Sequence, residues 1–349
     1  MIRLTELKLP LEHAADALLA LIALTLGVAP EAITRFTIYK RSFDARKAQL
    51  LQVYIVDVEI APTLGTGVSS LPPEGALAAR GGPSPLDSAS TLEATLLAKF
   101  AGNPHIGPSP DLVYHPVAQA PANLSERPVV VGFGPCGIFA ALILAQMGFK
   151  PIVIERGTTV RQRTQDTWSL WRKHVLNPES NVQFGEGGAG TFSDGKLYSQ
   201  IKDPRHLGRK VMNEFVQAGA PEEILVEAHP HIGTFKLVKV VENLREQIIA
   251  LGGEIRFEQR VADVLIDDSP AGKKLRGLTV LDVPTGKTYE LAASQVVMAL
   301  GHSSRDTFAT LFDRGVAMQA KPFSIGFRIE HPQGLIDRAR CDPEPLPRG

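Results

Sequence analysis

Residues 129–137 read VVVGFGPCG, a short apolar run followed at once by the spacing GxGxxG. The apolar run predicts a buried strand, and residues 138–147, rich in Ala and Leu, predict a helix that ends at Gly148. Residues 152–154 predict a second buried strand, and Glu155 follows it. A GxGxxG between a strand and a helix, with an acid after the next strand, is typical of a dinucleotide-binding βαβ unit.

Each residue type in this pattern has a physical role. Gly132 permits the tight turn, Gly134 lets the backbone approach a pyrophosphate, and Gly137 allows the helix to pack closely on the strand. The helix N-terminus presents free N–H groups and a positive dipole end to phosphates. The Glu155 carboxylate can accept hydrogen bonds from the hydroxyls of an adenosine ribose. We interpret Cys136 as a small filler rather than a redox thiol, because no second cysteine lies nearby.

Two alternatives exist for this segment. One is a glycine-rich turn in another α/β fold. The other is a membrane span, since residues 129–149 carry no charge and are long enough to cross a bilayer. The glycines and the proline near the start favour a turn, and a membrane span leaves the second strand and its acid unexplained. We therefore expect no membrane association.

A second glycine-rich stretch occupies residues 184–197, which read FGEGGAGTFSDGKL. So many glycines without a proline predict a backbone that comes close to a ligand, in preference to a loop in solvent. Thr191, Ser193 and Asp194 supply hydrogen-bonding groups within this stretch. The loop is therefore suited to wrapping a flat polar ring or a phosphate.

Downstream, the hydrophobic pattern predicts one helix and then a series of strands. The helix spans residues 237–251 and is ended by two glycines. The predicted strands, of which the last three form a meander, cover residues 254–257, 260–266, 275–283, 287–292 and 295–300. The final strand leads directly into Gly301 and His302.

The chain before residue 128 has a different character. Residues 1–61 predict a small α+β module, in which a helix over residues 11–26 ends at Gly27. Residues 42–46 (SFDAR) are interpreted as a charged turn between two strands of this module. Residues 62–127, rich in Gly, Pro and Ser, predict a linker or insertion with a short helix over residues 92–100.

Composition narrows the class of protein. The chain has 349 residues, with 37 Lys plus Arg and 37 Asp plus Glu, so its formal net charge is zero. A neutral chain is not a nucleic-acid binder that relies on bulk positive charge. The 2 cysteines form neither a disulfide framework nor a cysteine-rich zinc site. The apolar run at residues 18–29 imitates a signal peptide, but acidic residues precede it, so we expect a cytoplasmic protein.

Together, these elements and motifs resemble those of a known protein family. The order of strand, GxGxxG, helix, strand with Glu, meander and closing strand is similar to the glutathione-reductase-like FAD-binding fold. The chain more closely resembles the bacterial FAD-dependent dehydrogenase-like group, also called NAD(FAD)-utilising dehydrogenases. The stretches that carry this closer resemblance are residues 186–197 (EGGAGTFSDGKL), 230–234 (PHIGT), 323–333 (FSIGFRIEHPQ) and, with Phe where Ile is more usual, 42–46 (SFDAR).

The resemblance implies an α/β fold in which a Rossmann-like FAD-binding domain with a β-meander spans residues 128–320. It implies FAD bound in an extended form, with the pyrophosphate at the first glycine turn, Val261 at the adenine, and Gly301 near the pyrophosphate and ribityl chain. The residues expected to contact FAD are Gly132, Gly134, Pro135, Cys136, Gly137, Glu155, Arg156, Gly187, Gly188, Gly190, Thr191, Ser193, Val261 and Gly301. FAD itself would carry the redox chemistry.

The expected function is a FAD-dependent oxidoreductase that passes hydride or electrons to an unidentified small-molecule substrate. NAD(P)H is a possible transient reductant, although no second GxGxxG supports a dedicated nicotinamide domain. The alternatives are a non-catalytic dinucleotide-binding protein and a tRNA-modifying flavoprotein. Neutral net charge offers the last of these no support, and the sequence contains no signal for the oligomeric state.

Candidate catalytic residues are Lys196, His231 and His302, which lie beside the motifs. Each also has a structural interpretation, as a charge partner, a turn residue and a loop residue respectively. We expect no metal site at His229 and His231, because a proline separates them and no third ligand is nearby. Residues 321–349 are too few for a typical second domain, so we expect a truncated substrate domain that ends in a tail.

Overall fold

The computed structural model describes residues 1–46, 49–61, 85–193, 195–199, 201–270, 272–322, 326–327 and 329–340, with the backbone alone for residues 85–91 and 340. The chain divides into two units. The first comprises Met1–Asp111, Leu225–Ala228 and Ile325–Gly349, and the second comprises Leu112–Ile224 and His229–Ser324. Residues 62–84 of the expected linker, Asp194, and the expected tail from residue 341 lie outside the described residues.

The first unit is built on a four-stranded antiparallel sheet in the order β2-β3-β1-β4. Its apolar core contains Ile2 and Leu4 of β1, Ile22 of the first helix, and Val56 and Val58 of β3. The elements of this unit are β1 (Ile2–Pro10), α1 (Ala17–Leu26), β2 (Ile33–Asp44), β3 (Leu51–Ile60), α2 (Pro85–Lys99), β4 (Ile106–Pro108) and α8 (Gln333–Arg340). The predicted end of α1 at Gly27 is confirmed, since that glycine takes the left-handed conformation with φ 68°.

Two features of the first unit differ from the sequence prediction. Residues 42–44 are not a turn but the end of β2, because they pair with residues 51–53 of β3. The expected linker is also folded from residue 85 onward. Helix α2 places Leu92, Leu96 and Leu97 against the core of the unit, and β4 adds a strand beside β1. The helix predicted over residues 92–100 is thus present, but it begins earlier, at Pro85.

The second unit contains a parallel four-stranded sheet in the order β11-β5-β6-β7. The βαβ unit predicted from the glycine pattern is confirmed, with α3 between β5 and β6. The elements of the sheet and of its connections are β5 (Val129–Val131), α3 (Pro135–Gln146), β6 (Ile152–Ile154), α4 (Val160–Lys173), α5 (Leu207–Gln217), α6 (Thr234–Ala250), β7 (Glu254–Arg256) and β11 (Val296–Met298).

An antiparallel three-stranded meander lies between β7 and β11 in the chain. It consists of β8 (Gln259–Ser269), β9 (Gly272–Asp282) and β10 (Thr288–Ala292), and α7 (Arg305–Asp313) follows β11. The prediction that residues 295–300 continue the meander is wrong, because β11 pairs in parallel with β5. The chain thus returns to the parallel sheet of the second unit, where the apolar residues of β11 pack against the core beside β5.

The strand order creates a crevice. From β5 the chain moves to one side, through β6 to β7, and then returns to the other side of β5 as β11. In open parallel sheets, ligands bind outside the carboxyl ends of the strands where this direction reverses. Here that point lies between the ends of β5 and β11. Among the described helices, none combines the length and apolar character needed to cross a bilayer.

Candidate cofactor site

A cavity of about 300 Å³ lies at the carboxyl ends of β5, β6 and β11, within the second unit. This volume is at the lower end of the range for small-molecule sites. Eleven of the residues expected from the sequence line its wall, namely Gly132, Gly134, Pro135, Cys136, Glu155, Arg156, Gly188, Gly190, Val261, Gly301 and His302. The crevice predicted by the strand order and the residues predicted by the motifs therefore coincide.

The first glycine turn fits tightly against its surroundings. A β-carbon at Gly132, where φ is 97°, would lie 2.5 Å from the carbonyl oxygen of Ala299. A β-carbon at Gly137 would lie 1.8 Å from the carbonyl oxygen of Gly132. At Gly134, by contrast, a β-carbon would make an ordinary contact of 3.5 Å with Gly188. Gly132 and Gly137 are thus required by packing, and Gly137 does not line the cavity itself.

Helix α3 presents its N-terminus to this cavity. Pro135 occupies the first turn, where its missing N–H is no loss, and Ile138 is the first residue that donates a backbone hydrogen bond to the turn, at 2.9 Å to Gly134. The amides of Cys136 and Gly137 precede that bond and have no backbone acceptor among the described residues. These amides are the donors that a helix N-terminus offers to an anion.

Glu155 has a role that the sequence did not reveal. Its carboxylate is 4% exposed and accepts three backbone hydrogen bonds, from Phe133 at 2.7 Å, Gly157 at 2.8 Å and Gly185 at 2.9 Å. A carboxylate has about four acceptor positions, so one remains for a ligand hydroxyl. Glu155 therefore joins the first glycine turn to the second glycine-rich loop at the cavity wall.

The second glycine-rich loop contributes only part of its length to the cavity. Gly188 and Gly190 line the wall, whereas Gly187, Thr191 and Ser193 do not. The amide of Gly187 donates to the carbonyl of Phe133 at 2.9 Å, and the Ser193 hydroxyl donates to Gly190 at 2.7 Å. Thr191 belongs to the short 3₁₀ turn Ala189–Phe192, and its hydroxyl is buried with no hydrogen-bond partner among the described residues. The turn directs these side chains away from the wall.

Arg163 of α4 supports this loop, a role that the sequence did not predict. Its side chain is completely buried and donates hydrogen bonds to the carbonyls of Asn181, Val182, Glu186 and Gly188, at 2.7–2.8 Å. Burial lowers the pKa of the Arg163 guanidinium to about 10. One signal was present in the sequence: Val160, Arg163 and Thr167 share a helical face, and all three are buried.

A second buried charge supports the same loop. The Glu186 side chain is fully buried and accepts the Val160 amide at 2.7 Å, at the start of α4, and both oxygens accept Arg245 of α6, at 2.7 and 3.0 Å. Burial raises the pKa of the Glu186 carboxyl to about 6 despite these two donors. The glycine pattern gave Glu186 no role, because its partners are distant in the chain.

The wall beside Val261 carries a cluster of charges. Arg156 pairs with Glu179 at 2.7 Å and with Asp306 at 3.0 Å, and its guanidinium lies 4.2 Å from the centre of the Phe184 ring. Arg260 pairs with Glu179 at 3.1 Å. Arg156 is therefore fixed in position at the wall by its neighbours, although its guanidinium is neutralised by carboxylates.

The three catalytic candidates are not brought together at the cavity. His302 lines the wall, but Lys196 and His231 do not. These two residues face each other in an isolated antiparallel bridge, flanked by the backbone bonds Leu197 to Pro230 and Ile232 to Gly195 at 2.9 and 3.0 Å. The motifs at residues 186–197 and 230–234 thus form one small ladder, which presents both side chains to solvent. Arg328 and part of the motif at residues 323–333 lie outside the described ranges.

Comparison with known proteins gives two sequence matches. Residues 1–59 match a family described as a domain of unknown function, DUF8436. An uncharacterized protein of Clostridium beijerinckii is 39% identical over 342 residues, a match that covers 96% of this chain and 55% of that protein. The chain thus spans just over half the length of this relative.

Solved structures resemble the chain over about half its length, at low identity. THI4 of Thermovibrio ammonificans is 16% identical with a TM-score of 0.37, covering 55% of this chain and 63% of its own. A 3-ketosteroid-delta4-(5alpha)-dehydrogenase of Rhodococcus jostii RHA1 is 15% identical with a TM-score of 0.32, covering 52% and 48%. The flavin-dependent monooxygenase PieE, solved with FAD and substrate, is 16% identical with a TM-score of 0.28, covering 53% and 32%.

Proposed function

We propose that this chain carries the FAD-binding domain of a flavin-dependent oxidoreductase. The observation that supports this most is the Gly132–Gly137 turn, which carries the N-terminus of α3 to the reversal point of a parallel sheet and into the wall of a cavity. A glycine turn, a helix N-terminus and a strand-end carboxylate at one crevice are the features that bind a dinucleotide pyrophosphate and ribose.

The residues of the wall fit FAD. The donor proposed for the pyrophosphate is the amide of Cys136, which lines the wall and has no competing backbone acceptor among the described residues. Gly134, Gly188 and Gly190 leave the backbone uncovered at the wall, so a charged diphosphate can come close without displacing a side chain. This combination of open backbone and helix dipole suits an anion without a lysine or arginine at its centre.

The adenosine end is proposed to lie toward β6 and β8. Glu155 retains about one acceptor position for a ribose hydroxyl after its three backbone bonds. Val261 lines the same wall and is the proposed main-chain contact of the adenine. Arg156 is held in place by Glu179 and Asp306, so it borders this end as a fixed, neutralised group.

Bound FAD would supply hydride and electron transfer, and the chain would supply binding and orientation. His302 is the one catalytic candidate on the cavity wall, and its imidazole is the group proposed to hold or move a proton there. Lys196 and His231 have no proposed part in the FAD site, because they lie in the ladder outside the wall. NADH and NADPH are the proposed reductants of the flavin.

The visible absorption spectrum tests this proposal. The purified chain is incubated with FAD, passed through a desalting column, and scanned before and after anaerobic addition of NADH or NADPH. A flavin spectrum that stays with the protein supports the FAD site, and bleaching by either nucleotide supports the oxidoreductase. A chain that retains no flavin contradicts the proposal. Flavin that is retained and is reduced by dithionite, but by neither NADH nor NADPH, contradicts the nicotinamides as reductants.

A further inference from the structure

Arg163 has an unusual set of partners for a buried cation. Its guanidinium forms no salt bridge with a carboxylate of the described residues, and its N–H groups instead donate to four backbone carbonyls within residues 181–188. Nε donates to Asn181 and Nη2 to Val182, while Nη1 donates to both Glu186 and Gly188. The loop is thus folded around a single planar group, which has five donors in fixed directions.

The neighbouring glycine is shaped to this side chain. Gly185 has φ 113°, and a β-carbon there would lie 2.5 Å from Cδ of Arg163. A lysine has three donors at a single nitrogen, so it cannot reach carbonyls on opposite sides as the guanidinium does. The directions of the carbonyls therefore require arginine at residue 163, and the position of that side chain requires glycine at residue 185.

The same loop residues form the cavity wall. Gly185 and Gly188 line it, and the amide of Gly185 donates to Glu155, the carboxylate proposed for the ribose. Gly188 also packs on the first glycine turn, since a β-carbon there would lie 3.0 Å from Cα of Gly134. Displacement of the loop from Arg163 would thus move one wall of the cavity and remove one hydrogen bond that orients Glu155.

We propose that Arg163 is the positioning residue of the cofactor site: it fixes the glycine-rich loop, and through Gly185 it orients Glu155. Arg163 itself does not line the cavity, so it acts only through the loop. This inference rests on the proposed FAD site. At metal sites, replacing a residue that orients a ligand side chain changes affinity by about 10- to 100-fold, and we expect an effect of this order here.

The test compares R163K and R163A with R161A. Arg161 lies on the same helix, but its side chain is 70% exposed and pairs with Glu242, so R161A controls for loss of a cation from α4. The dissociation constant of FAD is measured by flavin fluorescence, and thermal unfolding is recorded without FAD. Hydrogen exchange at the amides of Gly185 and Gly187 reports the order of the loop in the absence of cofactor, because these amides donate from the loop to Glu155 and to the carbonyl of Phe133.

We expect R163K and R163A to weaken FAD binding by about tenfold or more, with faster exchange at both glycine amides, and R161A to leave both measurements unchanged. Ethylguanidinium at millimolar concentration is expected to restore FAD affinity to R163A and to leave the affinity of R161A unchanged. If R163A does not fold, the FAD affinity and the amide exchange of R163K test the proposal. Wild-type affinity in R163K overturns the proposal for Arg163. A wild-type chain that takes up no FAD instead overturns the proposed function, and this proposal with it.

Discussion

Gly137 and Gly132 are in direct backbone contact: a β-carbon at Gly137 would lie 1.8 Å from the carbonyl oxygen of Gly132. The third glycine of the motif thus lets α3 start against the end of β5. The second glycine, Gly134, has no such contact and faces the cavity. Substitution of each glycine can therefore test two different roles: Gly137 is needed for packing, and Gly134 is needed for access of the ligand.

We expect G137A to destabilise the protein by about 1–3 kcal/mol, the usual cost of an added methyl group in a packed site. The backbone must shift, because the atom in contact is a carbonyl oxygen rather than a flexible side chain. Urea unfolding followed by circular dichroism gives the free energy of unfolding. G107A is the control, since a β-carbon at Gly107 would meet no atom of the described residues within 4 Å. Equal stability of the two variants would contradict this contact.

G134A is expected to keep the fold and lose the cofactor. The position has φ −78°, which alanine adopts, and a β-carbon would meet Gly188 at an ordinary 3.5 Å. Replacing this N-cap glycine costs about 1 kcal/mol or less. The methyl group would stand where the pyrophosphate is proposed to approach. Titration with FAD measures the loss, and retention of wild-type affinity would place the pyrophosphate elsewhere.

Glu155→Gln is expected to lower stability even without FAD. The carboxylate serves three buried backbone N–H groups, and an amide retains a single oxygen for them. One donor left unsatisfied costs about 1–3 kcal/mol. The free energy of unfolding is compared with that of Glu246→Gln, which changes an exposed glutamate of α6. A neutral E155Q variant would show that these bonds are not maintained in solution.

The stability of the wild type relative to Glu186→Gln is expected to fall as pH rises from about 4.5 to about 6. Burial raises the pKa of Glu186 from 4.5 to about 6, so the folded state binds the proton more tightly than the unfolded state in this window. The unfolded state ionises first, which favours unfolding until the folded carboxyl also ionises. The difference between these pKa values corresponds to about 2 kcal/mol.

The charged neighbours of Glu186 must stay the same in both proteins of this experiment. Arg245 donates a hydrogen bond to Glu186. The Glu242 carboxylate also lies close by, and its hydrogen bond to Arg161 lowers the pKa of Glu242. Urea unfolding at a series of pH values is therefore performed on the wild type and E186Q in parallel. Carboxyls elsewhere with lowered pKa values act in both proteins and cancel in the difference. A difference that does not vary with pH would show that the Glu186 carboxyl is not perturbed.

K196A and H231A are expected to leave the affinity for FAD unchanged. Both side chains belong to the exposed ladder and are absent from the cavity wall, whereas His302 is part of it. FAD titration of the three alanine variants makes the comparison, with H302A as the variant on the wall. A strong loss in K196A or H231A alone would require the flavin to extend to the ladder.

Much of the second unit could be predicted because its signals are local. The apolar runs of β5 and β6, the GxGxxG between them and the glycines after α6 lie within short windows, and each acts on its own neighbours. The prediction of a turn was wrong at residues 42–44, which belong to β2, because its evidence was also local. Residues 42–44 form part of a strand because β3 supplies their hydrogen-bond partners. The composition of residues 42–46 alone does not predict that pairing.

Local pattern alone thus predicted the βαβ unit, the glycines of its turn and the acid at the end of the second strand. Only the tertiary structure revealed that Glu155 holds three backbone amides, that Arg163 carries the second loop and that Lys196 and His231 lie off the cavity. The reason is physical. Backbone conformation and periodic burial depend on near neighbours in the chain. A buried charge is defined by the donors and acceptors that satisfy it, and here these come from segments brought together only when the chain folds.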